Sequence, residues 1–363
     1  MKNDQSPTQT PIEKIAQTDS RKILITKITS MGDLIQTLPA ITDAVKAFPG
    51  LKFDWIAEES FKEIPRLHPS VDKIITLPYR RWKKNKWQAL KSGEIAEFLK
   101  VLRSERYEMI IDAQSNLKSA FVSALARGKR VGLDGKSVHE YGAHLAYHKK
   151  VRVNRKQNHA ERVRQMMAAV LGYELPKTQA DYGVDPANLP SLNFKLPEKF
   201  VMAIPITSAS NKLWPESYWD EVIKDLVRCG YEVVLPWWSD EEKARALRLK
   251  NNSPLIHLLP ILSLSEKASV LFQAKAAISI DTGLAHMAAM LNIPNICIYG
   301  SSNPDLCGTI GAKQIHLRAN APSCSPCSRA KCAYEGSSDY KPACLETIKP
   351  EQVLESFYKL LSK

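Results

Sequence analysis

The 363-residue sequence has no uninterrupted run of about 18 apolar residues, the length a membrane-spanning helix needs. Residues 1–20 are polar and include Asp4, Pro7, Pro11, Glu13 and Asp19. They lack the apolar stretch of a secretory signal, so the expected compartment is the cytoplasm. Charged residues make up only 25% of the chain and apolar residues 44%, which excludes disorder as the dominant state. No G-x-G-x-x-G follows a strand-like run, so the dinucleotide fingerprint fails. No nucleic-acid recognition motif occurs either, and no nucleic-acid partner is expected. The length suits two domains of ~100 to 200 residues each.

What the chain has in excess is positive charge, 51 Lys and Arg against 38 Asp and Glu, for a net +13. The excess is lopsided: Met1 to Pro190 carries 32 basic and 21 acidic residues, Ser191 to Lys363 carries 19 and 17. Charge alone admits a phosphorylated small molecule, an acidic membrane surface or nucleic acid at the N-terminal half, and the missing motif removes the last. The plainer alternative is a generally basic protein.

Strand-like runs at Lys22–Lys27, Phe53–Ala57, Lys73–Leu77 and Met109–Ala113 alternate with helical patterns such as Glu94–Arg106. After a turn-rich stretch around Asp185–Pro197 the alternation resumes. Strands are expected at Phe200–Ile206, Glu232–Pro236, Ala276–Ile280 and Asn295–Tyr299, and helices at Ser217–Cys229, Glu241–Lys250, Asp281–Leu291 and Pro350–Leu361. Alternation of this kind predicts an α/β protein with a parallel sheet in each half and a ligand cleft at the strands' C-terminal ends.

Several residues sit where such a cleft would be. Asp33, in Ser30-Met-Gly-Asp33 after the first strand, is either a helix cap or a group projecting into the cleft. Asp281, Thr282 and Gly283 open a helix whose backbone N–H groups suit a diphosphate. An equally open reading makes Asp281 a cap and His286 a core residue. Lys212, after the polar loop Thr207–Asn211, can neutralise a phosphate, with Trp214 packing beneath and Pro215 starting a helix. Asp240, Glu241 and Glu242 are either helix-dipole complements or ribose ligands. The segment Tyr79–Trp87 carries five basic residues, three aromatics and no acid, which suits phosphates beside a lipid or sugar surface. Cys324, Cys327, Cys332 and Cys344 have the spacing of a structural zinc site or a reduced thiol cluster.

Taken in order, Lys27–Ala40, Phe53-Asp-Trp55 with Glu58-Glu59, Arg80-Arg-Trp82, Ile111-Asp-Ala-Gln114 with Lys118-Ser-Ala120, Lys212 with Trp214-Pro215, Leu235-Pro-Trp237 and Asp281–His286 resemble the heptosyltransferase I family of lipopolysaccharide inner-core synthesis, within glycosyltransferase family 9. The resemblance spans about residues 21 to 318 and implies a GT-B fold, two Rossmann-like domains facing across a cleft. It implies inverting transfer of L-glycero-D-manno-heptose from ADP-heptose to the first Kdo of Kdo2-lipid A, with no cofactor required. By the same resemblance Asp33 is the general base. Thr207, Ser208, Lys212, Asp281, Thr282, Gly283 and His286 hold the donor diphosphate and sugar, and Glu242 holds the ribose. Arg80, Arg81, Lys83, Lys84 and Lys118 face the acceptor, and the N-terminal half touches the inner leaflet of the cytoplasmic membrane. The domain limits that follow are a disordered tail at 1–20, an acceptor domain at 21–185, a linker at 186–198, a donor domain at 199–349 and a closing helix at 350–363. The cysteine cluster resembles related heptosyltransferases more than type I, which leaves an already heptosylated core acceptor as the alternative. The other alternative is a non-catalytic anionic-lipid-binding protein on a degenerate GT-B fold.

Overall fold

β-branched and aliphatic runs with no polar alternation, such as Ile23-Leu-Ile-Thr26, form strands only when both faces are covered, and all four of these residues are buried. The computed structural model describes residues 22–362; the expected tail at 1–20 lies outside them. Contacts divide the chain into two units between Gly183 and Val184. The turn Pro186–Asn188 thus falls in the second unit, and Ser269 Oγ donates to Pro190 O at 2.7 Å within it.

Among the described residues the first unit holds six strands: β1 (Ile23–Thr26), β2 (Phe53–Glu58), β3 (Val71–Leu77), β4 (Arg106–Asp112), β5 (Arg127–Leu133) and β6 (Lys149–Val151). They pair in parallel in the order β3-β2-β1-β4-β5-β6. The second unit repeats the plan with β7 (Phe200–Ile204), β8 (Glu232–Leu235), β9 (Ile256–Leu258), β10 (Ala276–Ile280), β11 (Asn295–Tyr299) and β12 (Gln314–Arg318). Their order is β12-β11-β10-β7-β8-β9. In both sheets the order reverses between the first and fourth strands of the unit, β1 beside β4 and β7 beside β10, which opens a crevice at their C-terminal ends. The expected parallel α/β architecture holds in each half.

The expected helix Glu94–Arg106 ends at Leu102, and Arg106 instead begins β4. The expected helix from Asp281 starts at Gly283, and the stretch Tyr79–Lys91 is two short helices, Tyr79–Lys84 and Lys86–Lys91. Buried aromatics fix the strand ends near the crevices. Trp55 on β2 donates from Nε1 to Lys27 O at 2.9 Å. Trp214 is fully buried and donates to Ile348 O at 2.9 Å, with Trp219 packed edge-on at 5.3 Å. Its expected role as packing beneath the helix Glu216–Arg228 is met. Among the described residues no helix is long and apolar enough to cross a membrane.

Candidate active site

In the first unit the chain leaves β1 through Lys27 and turns into the short helix Met31–Ile35. Asp33 closes that turn: its Oδ2 accepts from the Ser30 backbone N–H and from the Ser30 hydroxyl, both at 2.7 Å. The cap reading is met, and Oδ1 takes no part in the cap. It lies 3.7 Å from Lys27 Nζ and 3.6 Å from His159 Nε2, and these two nitrogens are 2.8 Å apart. Lys27 is only 2% exposed and also donates to Ala113 O at 3.3 Å. Burial pushes the Asp33 carboxyl up, but the Lys27 ammonium, His159 and the two Ser30 hydrogen bonds more than offset it and hold it well below the usual carboxylate range. Burial pulls the Lys27 ammonium down, against the attraction of Asp33 and Asp112. The result is an ionised carboxylate with one oxygen spent on the turn and one in a cationic setting.

The end of β4 supplies the opposite wall. Gln114 Oε1 accepts from the N–H groups of Ile28 and Thr29 at 2.7 and 3.2 Å, fixing the backbone that leads to Asp33. Lys27, Ser30, Asp33, Gln114, His139 and His159 are among the groups lining a pocket of about 270 Å³. The helix His159–Leu171 is held in place by Arg164, which is 2% exposed and bonds Asp43 Oδ2 at 2.6 Å and Glu161 Oε1 at 2.9 Å.

The expected acceptor residues divide. Lys118 donates to Thr29 Oγ1 at 3.2 Å, beside the Asp33 turn, and lies 4.7 Å from the Tyr79 ring centre. Arg80 sits 4.9 Å from the Phe61 ring centre, and Lys83 and Lys84 are exposed. Arg81 is already committed, forked onto Glu94 at 2.7 and 2.8 Å and reaching Glu59 at 3.4 Å. Of the two tryptophans in this segment, Trp82 donates to Glu94 at 2.9 Å while Trp87 is 79% exposed.

The second unit brings the ends of β7 and β10 together. Lys212, reached through Thr207 and Ser208, forms a 2.6 Å ion pair with Asp281. Helix Gly283–Met290 follows Thr282 with no side chain capping its N-terminus, so its first N–H groups and dipole face the same place. An ammonium has three protons, so Lys212 can keep Asp281 and still bind an anion. His286 is 5% exposed, in the buried position that the core reading foresaw. Glu242 spends Oε2 on its own helix start, accepting from the N–H of Trp238 at 2.8 Å and of Ser239 at 3.3 Å.

Of the two readings of the cysteine cluster, the structure supports the reduced thiols and gives no support to a structural zinc. Among the described residues no group of three or more His, Cys, Asp or Glu is arranged to hold a metal. Cys324, Cys327, Cys332 and Cys344 do line one pocket of about 500 Å³, as free thiols. Burial, helped by the neighbouring thiols, pushes Cys344 up to about 11.

His159 and Lys27 had been given no role in advance. They are 132 positions apart, and only the fold unites them. The local hint was small: a histidine directly after the helix-capping Asn158, whose side chain accepts from Ala160 N at 3.0 Å.

The sequence model of glycosyltransferase family 9 (heptosyltransferase) matches residues 95–337. Lipopolysaccharide heptosyltransferase 1 of Pseudomonas aeruginosa is 37% identical over 350 residues, covering 94% of this chain and 98% of that one. The enzyme of the same name from Escherichia coli K12 is 40% identical over 299 residues, covering 82% and 93%. Lipopolysaccharide heptosyltransferase 2 of the same organism is 25% identical over 318 residues, covering 82% and 88%. Among solved structures, the E. coli heptosyltransferase WaaC with ADP superposes with a TM-score of 0.81 at 35% identity, covering 93% of this chain and 99% of that one. The same enzyme with ADP-2-deoxy-2-fluoro heptose gives 0.79 at 34%, with the same coverage.

Proposed function

The chain belongs to glycosyltransferase family 9, the heptosyltransferases, and from that premise we propose that it moves L-glycero-D-manno-heptose from ADP-heptose to the first Kdo of Kdo2-lipid A. Its fold is GT-B and its chemistry is heptose transfer in the lipopolysaccharide inner core. The type 1 relatives at 37% and 40% identity stand well above the type 2 relative at 25%, which favours Kdo as acceptor over an already heptosylated core. The same relatives disfavour a non-catalytic lipid-binding protein.

The observation that carries the mechanism is the ionised Asp33 lining its pocket, with Oδ1 left unused by the turn that Oδ2 caps. An acceptor hydroxyl attacks the anomeric carbon from the face opposite the diphosphate, so the carbon inverts. Asp33 takes the hydroxyl proton as the new C–O bond forms and the bond to ADP breaks. Lys212 and the uncapped helix N-terminus at Gly283 stabilise the charge that builds on the departing diphosphate. Thr207, Ser208 and Thr282 complete that anion site. Asp281 holds Lys212 and hydrogen-bonds heptose hydroxyls, and His286 backs the helix from its buried side. The remaining oxygen of Glu242 accepts from ribose. Lys118, Arg80, Lys83 and Lys84 meet the acceptor's carboxylates and phosphates, with Arg81 setting the helix from its ion pairs with Glu94 and Glu59. No cofactor enters this scheme. The enzyme works in the cytoplasm, in peripheral contact with the inner leaflet that holds its acceptor. Incubation with ADP-heptose and Kdo2-lipid A tests the reading: it expects ADP release coupled to heptosylated lipid, and no ADP release sinks it.

A further inference from the structure

We propose that Leu117, Phe121, Tyr141 and Leu145 form a docking shelf that seats the protein on an anionic lipid bilayer directly beside the Asp33 pocket. These four side chains are 55%, 66%, 83% and 75% exposed. Leu117 and Phe121 are one helical turn apart on Leu117–Leu125 and so share a face. Tyr141 and Leu145 lie on the adjoining segment that ends in the turn Ala143–Ala146. The two elements are tied together: Leu117 N donates to Glu140 Oε2 at 2.9 Å, and the N–H groups of His139 and Glu140 donate to Ser115 O at 3.0 and 3.3 Å. An apolar cluster kept in water by a rigid framework marks an interaction surface.

Two observations choose the occupant. The first is continuity: Ser115 and His139 line the Asp33 pocket, and each is two residues from a member of the shelf. A molecule whose sugar enters that pocket would leave its remaining part over the shelf. The second is charge. Between Leu117 and Arg152 the chain has eight Lys and Arg against two acids, and one acid, Asp134, is paired with Arg152 at 2.8 Å. Lys129, Lys136, Lys149 and Lys150 are exposed. Lys118 follows Leu117 on its helix, and Arg130 donates from Nε to Ala146 O at 2.6 Å at the end of the turn that carries Leu145, so apolar side chains with basic neighbours match the acyl boundary and headgroups of an anionic leaflet. A second copy of this chain would bring like charges together in a two-fold contact. The sugar-bearing lipid as substrate rests on the heptosyl-transfer reading; the docking itself does not.

The test compares the wild-type protein with Leu117→Ser/Phe121→Ser/Leu145→Ser by flotation on phosphatidylglycerol–phosphatidylethanolamine vesicles, with thermal unfolding as a check of the fold. Wild type is expected to float, and the triple variant to lose about tenfold in partition. The KM for Kdo2-lipid A in vesicles should rise by a similar factor, while the KM for the deacylated acceptor stays within about twofold. Lys136→Glu, which leaves the apolar shelf intact, should weaken the salt-sensitive part of flotation. Equal flotation of wild type and triple variant overturns the proposal. So does a wild-type dimer, seen by light scattering, that the triple variant dissolves with vesicle binding intact. Absence of turnover on the deacylated acceptor by wild type would instead count against heptosyl transfer, and flotation would still decide the shelf.

Discussion

The two units share one strand order and present their working groups at equivalent strand ends, β1 beside β4 and β7 beside β10, yet they invert each other's electrostatics. In the first, a carboxylate is set beside a buried ammonium and an imidazole: Asp33 lies 3.7 Å from Lys27 and 3.6 Å from His159. In the second, a cation is set against a carboxylate and a helix N-terminus: Lys212 bonds Asp281 at 2.6 Å. On the proposed mechanism the first arrangement keeps a base ionised, and the second collects positive potential for a leaving group. The same scaffold supplies a crevice in each unit, and the few residues after each strand give the two crevices opposite charge.

Removing the group at the centre of each arrangement tests that division. Asp33→Ala should lower kcat by ~10²- to 10⁴-fold, with ADP binding by calorimetry nearly unchanged. Parallel loss of both would break the comparison. Lys212→Ala should lower kcat/KM for ADP-heptose by ~10²- to 10³-fold, the cost of one lost donor at a developing anion. The KM for acceptor should hold, and a matching rise in it would show that Lys212 does not belong to the donor side. Part of the Lys212 effect reflects an Asp281 carboxylate left without its partner, so Lys212→Ala/Asp281→Asn separates loss of the cation from loss of the pair.

A third substitution acts on the framework of one unit alone. Arg164→Ala leaves Asp43, which is 4% exposed, as a buried carboxylate without its cation and should cost ~3 to 5 kcal/mol. Hydrogen exchange should quicken in the helices Leu38–Ala47 and His159–Leu171 and leave the second unit's strands protected. Uniform loss of protection would mean that the units do not unfold independently.

That buried pair also marks where the sequence stopped being readable. Central strands such as Ile23–Thr26 and Ala276–Ile280 declare themselves, because burial on both faces demands unbroken apolar runs. The start of β5 does not: Arg127-Gly-Lys-Arg130 reads as charged loop, and it pairs with β4 alone, β6 joining only from Val131. The residues after strands could be found from the motifs, and so Asp33, Lys212 and Asp281 were in view. His159 was not, since its place beside Asp33 depends on Arg164, Asp43 and a helix more than a hundred residues downstream. Glu242 and Arg81 were in view for their charge, yet much of what each can bond is already taken by Ser239 and Glu94, which composition cannot reveal.

The smallest expected effect is the most particular to the first unit. Asp33 has its carboxyl held below the usual range, so it is ionised throughout pH 5 to 8 and should contribute no acid limb there to kcat/KM. The sign follows from a depressed value: the ionised form is favoured above the ordinary carboxylate pKa of ~3.9 and is lost only as pH falls through the lower folded value. Lys27 is the largest of the influences that lower it. Lys27→Met, close in shape and buried, removes that charge and lets desolvation act on Asp33. The acid limb should then move upward, with a modest fall in kcat at neutral pH. A pH–rate series from pH 4 to 9 on both proteins measures this. Superimposable acid limbs with the variant fully folded would show that His159 and the Ser30 hydrogen bonds suffice, leaving the buried lysine to hold the Ala113 backbone rather than to set the base.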